Sequence, residues 1–302
     1  MRVTQSMMNL QMLQNLSNSN ERMMNLQNML ASGKRINTPS DDPVGVNYAL
    51  RYRAQLNHLN QFKTNADAAA NVLDFTDSTI GQVTDVLQRA RELAVQGAND
   101  SLNSGDRQVI AKEVEQLFHQ LVQLGNAQFN GKYIFNGQKT DVKPFSDPGS
   151  PTDPTNLWAN FDTRSIDYLV SDGVTISVNI TADNVFGANS DADNAFTALN
   201  QLYTGLQNND TSTIQNALDN ISTRLDKVLA ARADIGARSN RVNLIEQRLN
   251  DMNTNYQKLL SSVEDADIAK TITDLKTAEN VQQASLAVGA RILVPTLVDF
   301  LK

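Results

Sequence analysis

The sequence predicts a mainly α-helical protein with a β insertion near its middle. Three observations support this fold class. Apolar residues recur at alternating intervals of three and four in both halves of the chain, which is typical of packed helices. Strand and turn patterns are concentrated around residues 129–180. Thin apolar stripes follow helical segments at both ends, so the two ends can each supply the partner that the other needs.

The first helix is predicted over residues 5–31. Its apolar positions recur at helical intervals among Asn, Gln and Ser; they are Leu10, Leu13, Leu16, Met23, Leu26 and Leu30. A stripe this thin gives an isolated helix little to bury, and an unsupported helix is marginal in water. We therefore expect this helix to depend on a partner.

The stretch LASGKRINTPSDDPVG, residues 30–45, predicts a joint between two helices. Gly33 suits the position just past a helix end, and Pro39 holds the preceding residue extended. Asp42 is a strong N-cap residue, and Pro43 fits the first helical position. A phosphate loop is disfavoured because the second glycine and the Ser/Thr of that motif are missing. Adjacent aspartates without further spaced ligands are weak signals for a metal.

A long helix is predicted over residues 43–98, with an eleven-position apolar seam from Leu59 to Ala94 that only Thr76 interrupts. A second helix is predicted over 106–128, with apolar positions at 110, 114, 117, 121 and 124. A third seam runs from Val242 to Val263 with strict spacing. Because the seams 59–94 and 242–263 flank the insertion, we expect them to pack on each other if the chain returns antiparallel.

The insertion is predicted from turn and strand signals. Two Asn-Gly pairs bracket the apolar run 133–135, which indicates turn, strand and turn. In residues 165–180, apolar residues alternate on both sides of Asp172-Gly173, which predicts a hairpin.

The last helix is expected to begin after SSVEDADIAK, where Asp265 or Asp267 can cap it, and to end near Lys302. Its main apolar positions offer more surface than one partner helix can cover; they are Ile268, Ile272, Leu275, Val281, Leu286, Ile292 and Leu297. Surface of this kind marks an interaction site. The predicted subunit and chaperone interface combines both ends of the chain: Leu10, Leu13, Leu16, Met23, Leu30, Ile272, Leu275, Val281, Leu286, Ile292 and Leu297.

Composition excludes several functions. The 302 residues carry a net charge of −7 without a basic stripe, which disfavours binding to nucleic acid. There is no cysteine, and His58 and His119 show no metal-ligand spacing, so thiol and zinc chemistry are not expected. No catalytic residue or cofactor is predicted. The start lacks a secretory pattern, and Arg291, Pro295 and Asp299 interrupt the most apolar stretch, so we expect no membrane insertion and export, if any, without a cleaved signal.

Several stretches resemble the flagellin family. LASGKRINTPSDDPVG is similar to its N-terminal signature, and RARELAVQGAND (89–100) resembles the helix end that follows. RADIGARSNRVNLIEQRL, SSVEDADIAK and NVQQASLAVGARI resemble its C-terminal flank. Pro39, Pro43, the start MRVTQ and NGKYIFNGQKT are similar to the branch that joins hook and filament, the hook-associated proteins of type 3.

The resemblance implies a nested rod. Residues 1–42 and 264–302 would form a terminal coiled-coil inner domain, 43–138 and 191–263 a helical-bundle middle domain, and 139–190 a small β-rich outer domain. It also implies export by the flagellar type III apparatus, an export chaperone, self-assembly into a ring, and contact with the first hook–filament junction protein and with flagellin. The alternatives are a flagellin filament subunit, a secreted coiled-coil effector that uses the same export route, and, least favoured, an enzyme.

Overall fold

The apolar repeat of the long helices determines the core of the protein. The computed structural model describes residues 5–99, 102–146, 154–157 and 161–292. In that part of the chain the helices are α1 (Gln5–Ser32), α2 (Pro43–Gly97), α3 (Ser104–Gly125), α4 (Ala182–Phe186), α5 (Ala195–Asn208), α6 (Thr211–Glu264) and α7 (Ile268–Ile292). The strands are β1 (Gln128–Phe129), β2 (Lys132–Tyr133), β3 (Asp167–Ser171) and β4 (Val174–Ser177), and Pro154–Leu157 form a 3-10 helix. The predicted fold class, mainly α with a β insertion, is confirmed.

The contacts divide the chain into two compact units. The first unit comprises residues 1–58 and 252–302, and the second comprises residues 59–251. The second unit therefore contains both the β-rich insertion and most of the helical region around it. The finer division into inner, middle and outer domains stays a prediction.

The seam of α2 forms one side of the core of the second unit. Every predicted seam position from Leu59 to Ala94 is buried except Phe62, which is half-buried. The facing helix, α6, contributes buried residues at similar intervals: Ile214, Ala217, Ile221, Leu225, Val228, Ile235, Val242 and Leu249. Because these side chains leave water together, burial of apolar surface stabilises the antiparallel pair.

The predicted partner of the α2 seam, residues 242–263, is correct only for the start of the seam. Asp77 pairs with Arg232 at 3.0 Å, and Lys63 donates to Asn250 at 3.0 Å. Near the end of α2, a side chain on Gly97 would meet Ile214. The α2 seam therefore faces α6 residues from about 250 back to 214, which overlap the predicted range 242–263 only over residues 242–250. Arginines interrupt the heptads of this part of α6, which hid the pattern in the sequence.

Helix α3 begins two residues before its predicted start. The Asn103 side chain accepts a hydrogen bond from the backbone N–H of Asp106 at 2.8 Å and caps the helix. Leu117 and Leu124 are only half-buried, whereas Phe118 and Val122 are buried. The inward face of α3 thus moves by one position near its end, where it packs against α5.

The insertion contains two hairpins. Asp172 and Gly173, with φ +68° at the glycine, connect β3 to β4, as the sequence predicted. The first hairpin turns at Asn130-Gly131, where both φ angles are positive. The strand predicted over 133–135 is therefore wrong beyond Tyr133, because Ile134 and Phe135 leave the strand and are buried in the core.

A cluster of phenylalanine rings joins the insertion to the helices around it. Phe145 lies 5.3 Å from Phe186 and 4.9 Å from Phe196 between ring centroids, and Phe118 of α3 lies 5.8 Å from Phe196. Aromatic packing of this kind contributes beyond its buried area. The β-rich region consequently shares one core with α3 and α5.

We predict that Leu73→Ala lowers the free energy of unfolding of the second unit by about 2–5 kcal/mol, because the change leaves a cavity in a closed core. The matched control is Leu244→Ala on α6, where the leucine is 66% exposed and the loss should stay below about 0.5 kcal/mol. Urea unfolding followed by circular dichroism measures both. Equal losses for the two variants would contradict the packing described here.

Candidate assembly surface and helix joint

The terminal helices α1 and α7 pack on each other in antiparallel orientation. The Asn20 side chain accepts a hydrogen bond from Gln282, and the Met12 side chain lies over Gly289 so closely that a Cβ there would meet the Met12 Cε at 1.6 Å. Glycine at this position therefore lets the two helices approach.

The face of α7 that packs on α1 is built from small or polar residues. Thr271, Ala278 and Gly289 are buried, and Gln282 and Ser285 are half-buried. Most of the larger aliphatic residues of α7 consequently lie elsewhere, and Leu275 is half-buried. Its exposed large aliphatic side chains are Ile268, Ile272, Val281, Leu286 and Val288.

The residues predicted for the interface fall into two groups. Five of them are exposed, namely Leu10, Leu13, Ile272, Val281 and Leu286, whereas Leu275 and Leu16 are half-buried. Met23 and Leu30 are also half-buried. The side chain of Ile292 and all of Leu297 lie outside the described residues. Their role in assembly stays a prediction.

Sequence reasoning missed Met8, Met12 and Val288. These side chains, with Val281, Gln11, Asn15, Ala284 and Ser285, line a groove of about 470 Å³ between α1 and α7. The available signal was the concentration of methionine near the start of the chain, since methionine fills irregular surfaces adaptably.

The joint pairs the two segments that connect the terminal helices to α2 and α6. Lys34 and Asp265 form an antiparallel β-bridge. The backbone N–H of Arg35 donates to the carbonyl of Glu264 at 2.7 Å, and that of Ala266 donates to Gly33 at 3.0 Å. Gly33 has φ +70°, a conformation that favours glycine and ends α1 where the sequence predicted.

Glu264 is the buried charge of the joint. Its side chain is 4% exposed and forms ion pairs with Lys34 and Arg53, both of which remain about half-exposed. Arg35 adds a hydrogen bond of 2.7 Å from its guanidinium to the Val263 carbonyl at the end of α6. Cations near a helix carboxyl end are stabilised by the helix dipole. This network was not predicted, because ion pairs more than 200 residues apart leave no local pattern.

Aspartates cap the helices that leave the joint. Asp42 accepts a hydrogen bond from the Gly45 N–H at 2.9 Å, and Pro43 is the first residue of α2. Asp267 accepts from the Lys270 N–H at 3.1 Å at the start of α7. Asp265 instead accepts a hydrogen bond from the Ser261 hydroxyl and lies in the β-bridge.

Asp41 holds the link between the helices in a turn around Pro39. Its carboxylate accepts hydrogen bonds from the backbone N–H groups of Asn37 and Thr38 at 2.9 and 2.7 Å, and from the Thr38 hydroxyl at 2.8 Å. These bonds, led by that from the Thr38 backbone, lower the pKa of Asp41. The adjacent aspartates are therefore engaged in local structure.

The described residues give little indication of a small-molecule or metal site. A groove of about 780 Å³ in the second unit is lined by side chains of both charges, and its buried Arg224 is paired with Asp193 at 2.8 Å. In the described part of the chain, no three His, Asp or Glu side chains gather as metal ligands would. Every helix within the described ranges is too short or too polar to cross a membrane.

These features define a class of protein: a helical assembly subunit whose paired terminal helices carry apolar side chains on their outer surface. The comparisons with known proteins agree with this class. The model of the bacterial flagellin N-terminal helical region matches residues 3–140, and that of the bacterial flagellin C-terminal helical region matches residues 218–301. The chain belongs to the flagellin family.

Relatives within the family have different names. Flagellin FlaB1 of Treponema pallidum (strain Nichols) is 30% identical over 268 residues, which cover 87% of this chain and 85% of that one. Flagellar hook-associated protein 3 of Escherichia coli (strain K12) is 27% identical over 300 residues, or 94% and 95% of the two chains. The solved flagellar hook associated protein-3 from Legionella pneumophila has a similar fold, with a TM-score of 0.61 at 17% identity over 70% of this chain and 98% of its own.

We predict that Glu264→Gln destabilises the joint by about 1–2 kcal/mol, because hydrogen bonds to charged groups contribute about 1.5–3 kcal/mol and both cations are partly solvated. Hydrogen exchange of peptides 30–45 and 258–270 should become faster. Glu279→Gln is the matched control, since Glu279 pairs with Lys276 one turn away on α7. Unchanged exchange in the Glu264 variant would contradict the role of the ion pairs.

The lowered pKa of Asp41 predicts an acid dependence of the loop. Because the folded pKa lies below the unfolded value of about 3.9, the carboxylate stabilises the loop above that pH, and the contribution is lost as the pH falls through the folded pKa. We expect the amide resonance of Thr38 to titrate with a midpoint below about 3.9. Asp41→Asn should abolish this transition. A midpoint at or above the usual value would show that the hydrogen bonds do not favour the charged form.

Proposed function

We propose that this chain is a structural component of the bacterial flagellum that joins the hook, through the first junction protein, to the flagellin filament. It is exported by the flagellar type III apparatus and assembles outside the cell by axial polymerisation. The proposal assigns no catalysis and no cofactor to the chain. The relatives in its family are named as components of the flagellum.

The alignment with hook-associated protein 3 carries this proposal. It extends over 300 residues and 94% of this chain, whereas the alignment with flagellin FlaB1 extends over 268 residues and 87% of it. The prolines at positions 39 and 43 of the joint also resemble the corresponding stretch of the junction branch. Pro43 begins α2 directly after its Asp42 cap, so this feature of the sequence has a defined structural place.

The outer surface of the terminal helix pair gives the proposal its physical basis. Ile272, Val281 and Leu286 expose large aliphatic side chains to solvent, and so do Leu10 and Leu13 of α1. A surface of this kind marks a site of protein interaction and promotes aggregation if it stays uncovered. Neighbouring copies in a ring, the first junction protein and flagellin would cover it after assembly. An export chaperone would cover it beforehand.

The composition is compatible with export through a narrow channel. The chain has no cysteine, so it forms no disulfide that would have to be reduced before the chain is threaded unfolded. The thin apolar stripe of α1 gives little stability to an isolated helix, so the terminal helices would gain much of their order from their neighbours.

A flagellin filament subunit is the second candidate, favoured by the 30% identity to flagellin FlaB1. Deletion of the gene for this chain in its own bacterium distinguishes the two functions. Hooks without filaments, together with flagellin released into the medium, support the junction role. Cells that lack filaments and release no flagellin support the filament role.

We predict that removal of residues 285–302 leaves the second unit folded and reduces filament attachment at least tenfold, because Leu286, Val288 and Gly289 are lost from the terminal pair. Thermal melting of the second unit and counts of filaments per hook measure the two effects. Deletion of residues 145–185 is a poor control, since Phe145 and Val170 are buried in the core. Leu169→Ser is the control for the insertion, because Leu169 is exposed on β3. Normal attachment by the truncated chain would overturn the assignment.

A further inference from the structure

The chain contains two Asn-Gly pairs, Asn130-Gly131 and Asn136-Gly137, and a phenylalanine precedes each of them. In such a pair the asparagine side chain can react with the backbone nitrogen of the next residue, because glycine has no Cβ to shield that nitrogen. The reaction requires the side chain to swing over to the nitrogen and water to reach the product. Since the two pairs are alike in sequence, the fold around each pair determines which of them reacts.

The second pair is held in the core. Asn136 is fully buried, its Nδ2 donates to the Val142 carbonyl at 2.9 Å, and its Oδ1 accepts from the Asp162 N–H at 3.0 Å. Gly137 is also buried, so closely that a Cβ there would lie 2.4 Å from the Asp162 carbonyl oxygen. The Asn136 side chain can therefore turn toward the next nitrogen only after both hydrogen bonds break in a region closed to water.

The first pair lies on the surface. Asn130 and Gly131 are both exposed, and a Cβ built on Gly131 would meet no atom of the described residues within 4 Å. The pair forms the turn between β1 and β2, which pair over only two residues each. A hairpin this short is weak by itself and opens at low cost, which gives the side chain the freedom to rotate.

We propose that Asn130 is a site of spontaneous deamidation and that the fold protects Asn136 from the same reaction. The backbone nitrogen of Gly131 attacks Cγ of Asn130, the bond from Cγ to Nδ2 breaks, and ammonia leaves with the proton that the Gly131 nitrogen gives up. Water then opens the cyclic imide at one of its two C–N bonds and restores the N–H of Gly131. One water enters, one ammonia leaves, and no atom is oxidised or reduced.

The two products differ in their backbone. Opening at the side-chain carbonyl gives aspartate, and opening at the main-chain carbonyl gives isoaspartate, in which the chain continues through the side chain and is one carbon longer. Either product places a carboxylate beside Lys132, in the lining of a groove of about 330 Å³ between α2 and the hairpins. The longer backbone of isoaspartate also disturbs the pairing of Phe129 with Lys132.

The contact of this hairpin with α2 limits how far the change extends. The Phe129 ring lies 5.3 Å from the ring of Phe75 on α2, between centroids, and both side chains are half-buried. The buried residues that follow the hairpin, Ile134 and Phe135, belong to the core. Deamidation of Asn130 therefore alters the charge and pairing of a surface hairpin and leaves the core of the second unit folded.

Peptide mass spectrometry tests the proposal on the purified full-length chain, without reference to the assembly role. The chain is incubated at mildly alkaline pH, either folded or unfolded in urea, and is then digested with trypsin at mildly acidic pH, where the imide forms slowly. Cleavage after Lys132 places Asn130 in the peptide 113–132 and Asn136 in the peptide 133–139. We expect Asn130 to convert at least about tenfold faster than Asn136 in the folded chain, and the two to convert at similar rates in urea.

Three outcomes would overturn the proposal. Equal rates in the folded chain, or a faster rate for Asn136, would show that burial gives no protection. Conversion of Asn130 in urea but not in the folded chain would show that the folded turn blocks the reaction. An equally large difference between the two peptides in urea would assign the selectivity to the neighbouring sequence and not to the fold.

Freshly prepared Asn130→Asp protein is the matched control for the product, because it carries the new charge without the additional backbone carbon. Hydrogen exchange of the peptide 126–134 should be faster in the aged chain than in this variant, and the variant should resemble the unaged chain. Exchange in the aged chain that equals exchange in the variant would refute the disturbed strand pairing. Exchange that becomes faster throughout residues 59–251 would refute the confinement of the change to the hairpin.

Discussion

The close approach of α1 and α7 is the constraint on which the outer surface of the terminal pair depends. Gly289 leaves no room for a Cβ beneath Met12, and Thr271 and Ala278 keep the rest of the contact narrow. Two helices that pack through small side chains have no space between them for isoleucine or leucine. Most large aliphatic residues of α7 consequently face outward, whereas Leu275 is half-buried.

The joint fixes the axial alignment of this contact. The β-bridge between Lys34 and Asp265 ties the end of α1 to the segment before α7, so the two helices start from a common point. Glu264 adds Arg53 of α2 to the same cluster. A shift of one residue in this alignment would rotate every side chain of the pair by about 100° and move Met12 away from Gly289. The ion pairs and the glycine contact therefore support the same arrangement from opposite ends.

Local signals in the sequence were sufficient where chemistry acts over a few residues. Gly33, Asp42 and Pro43 indicate the ends of α1 and α2, and Asp172-Gly173 indicates the turn between β3 and β4. The seam of α2 is visible because nearly every position is apolar. These features require only one helix turn or one hairpin to be recognised.

Long-range pairing was beyond such reasoning. Arg232 reads as an interruption of a heptad, yet it pairs with Asp77, which is 155 residues away in sequence. In the sequence, Glu264 is one acidic residue among several. It becomes buried only because the fold brings the end of α6 next to Lys34 and Arg53. Leu286 was predicted for the interface, but the sequence could not distinguish it from the half-buried Leu275, because a helix stripe shows which residues share a face but not which face the partner covers.

The absence of charge from residues 5–20 and 280–290 has a consequence for the medium in which a flagellum works. Ion pairs weaken as salt shortens the Debye length, which falls from about 30 Å at 0.01 M to about 3 Å at 1 M. Contacts between apolar and amide side chains are insensitive to this screening, and excluded salts such as sulfate strengthen apolar burial. A subunit held by such a surface stays bound at both low and high salt concentration. Cooling weakens the apolar contact more than dilution of the salt does.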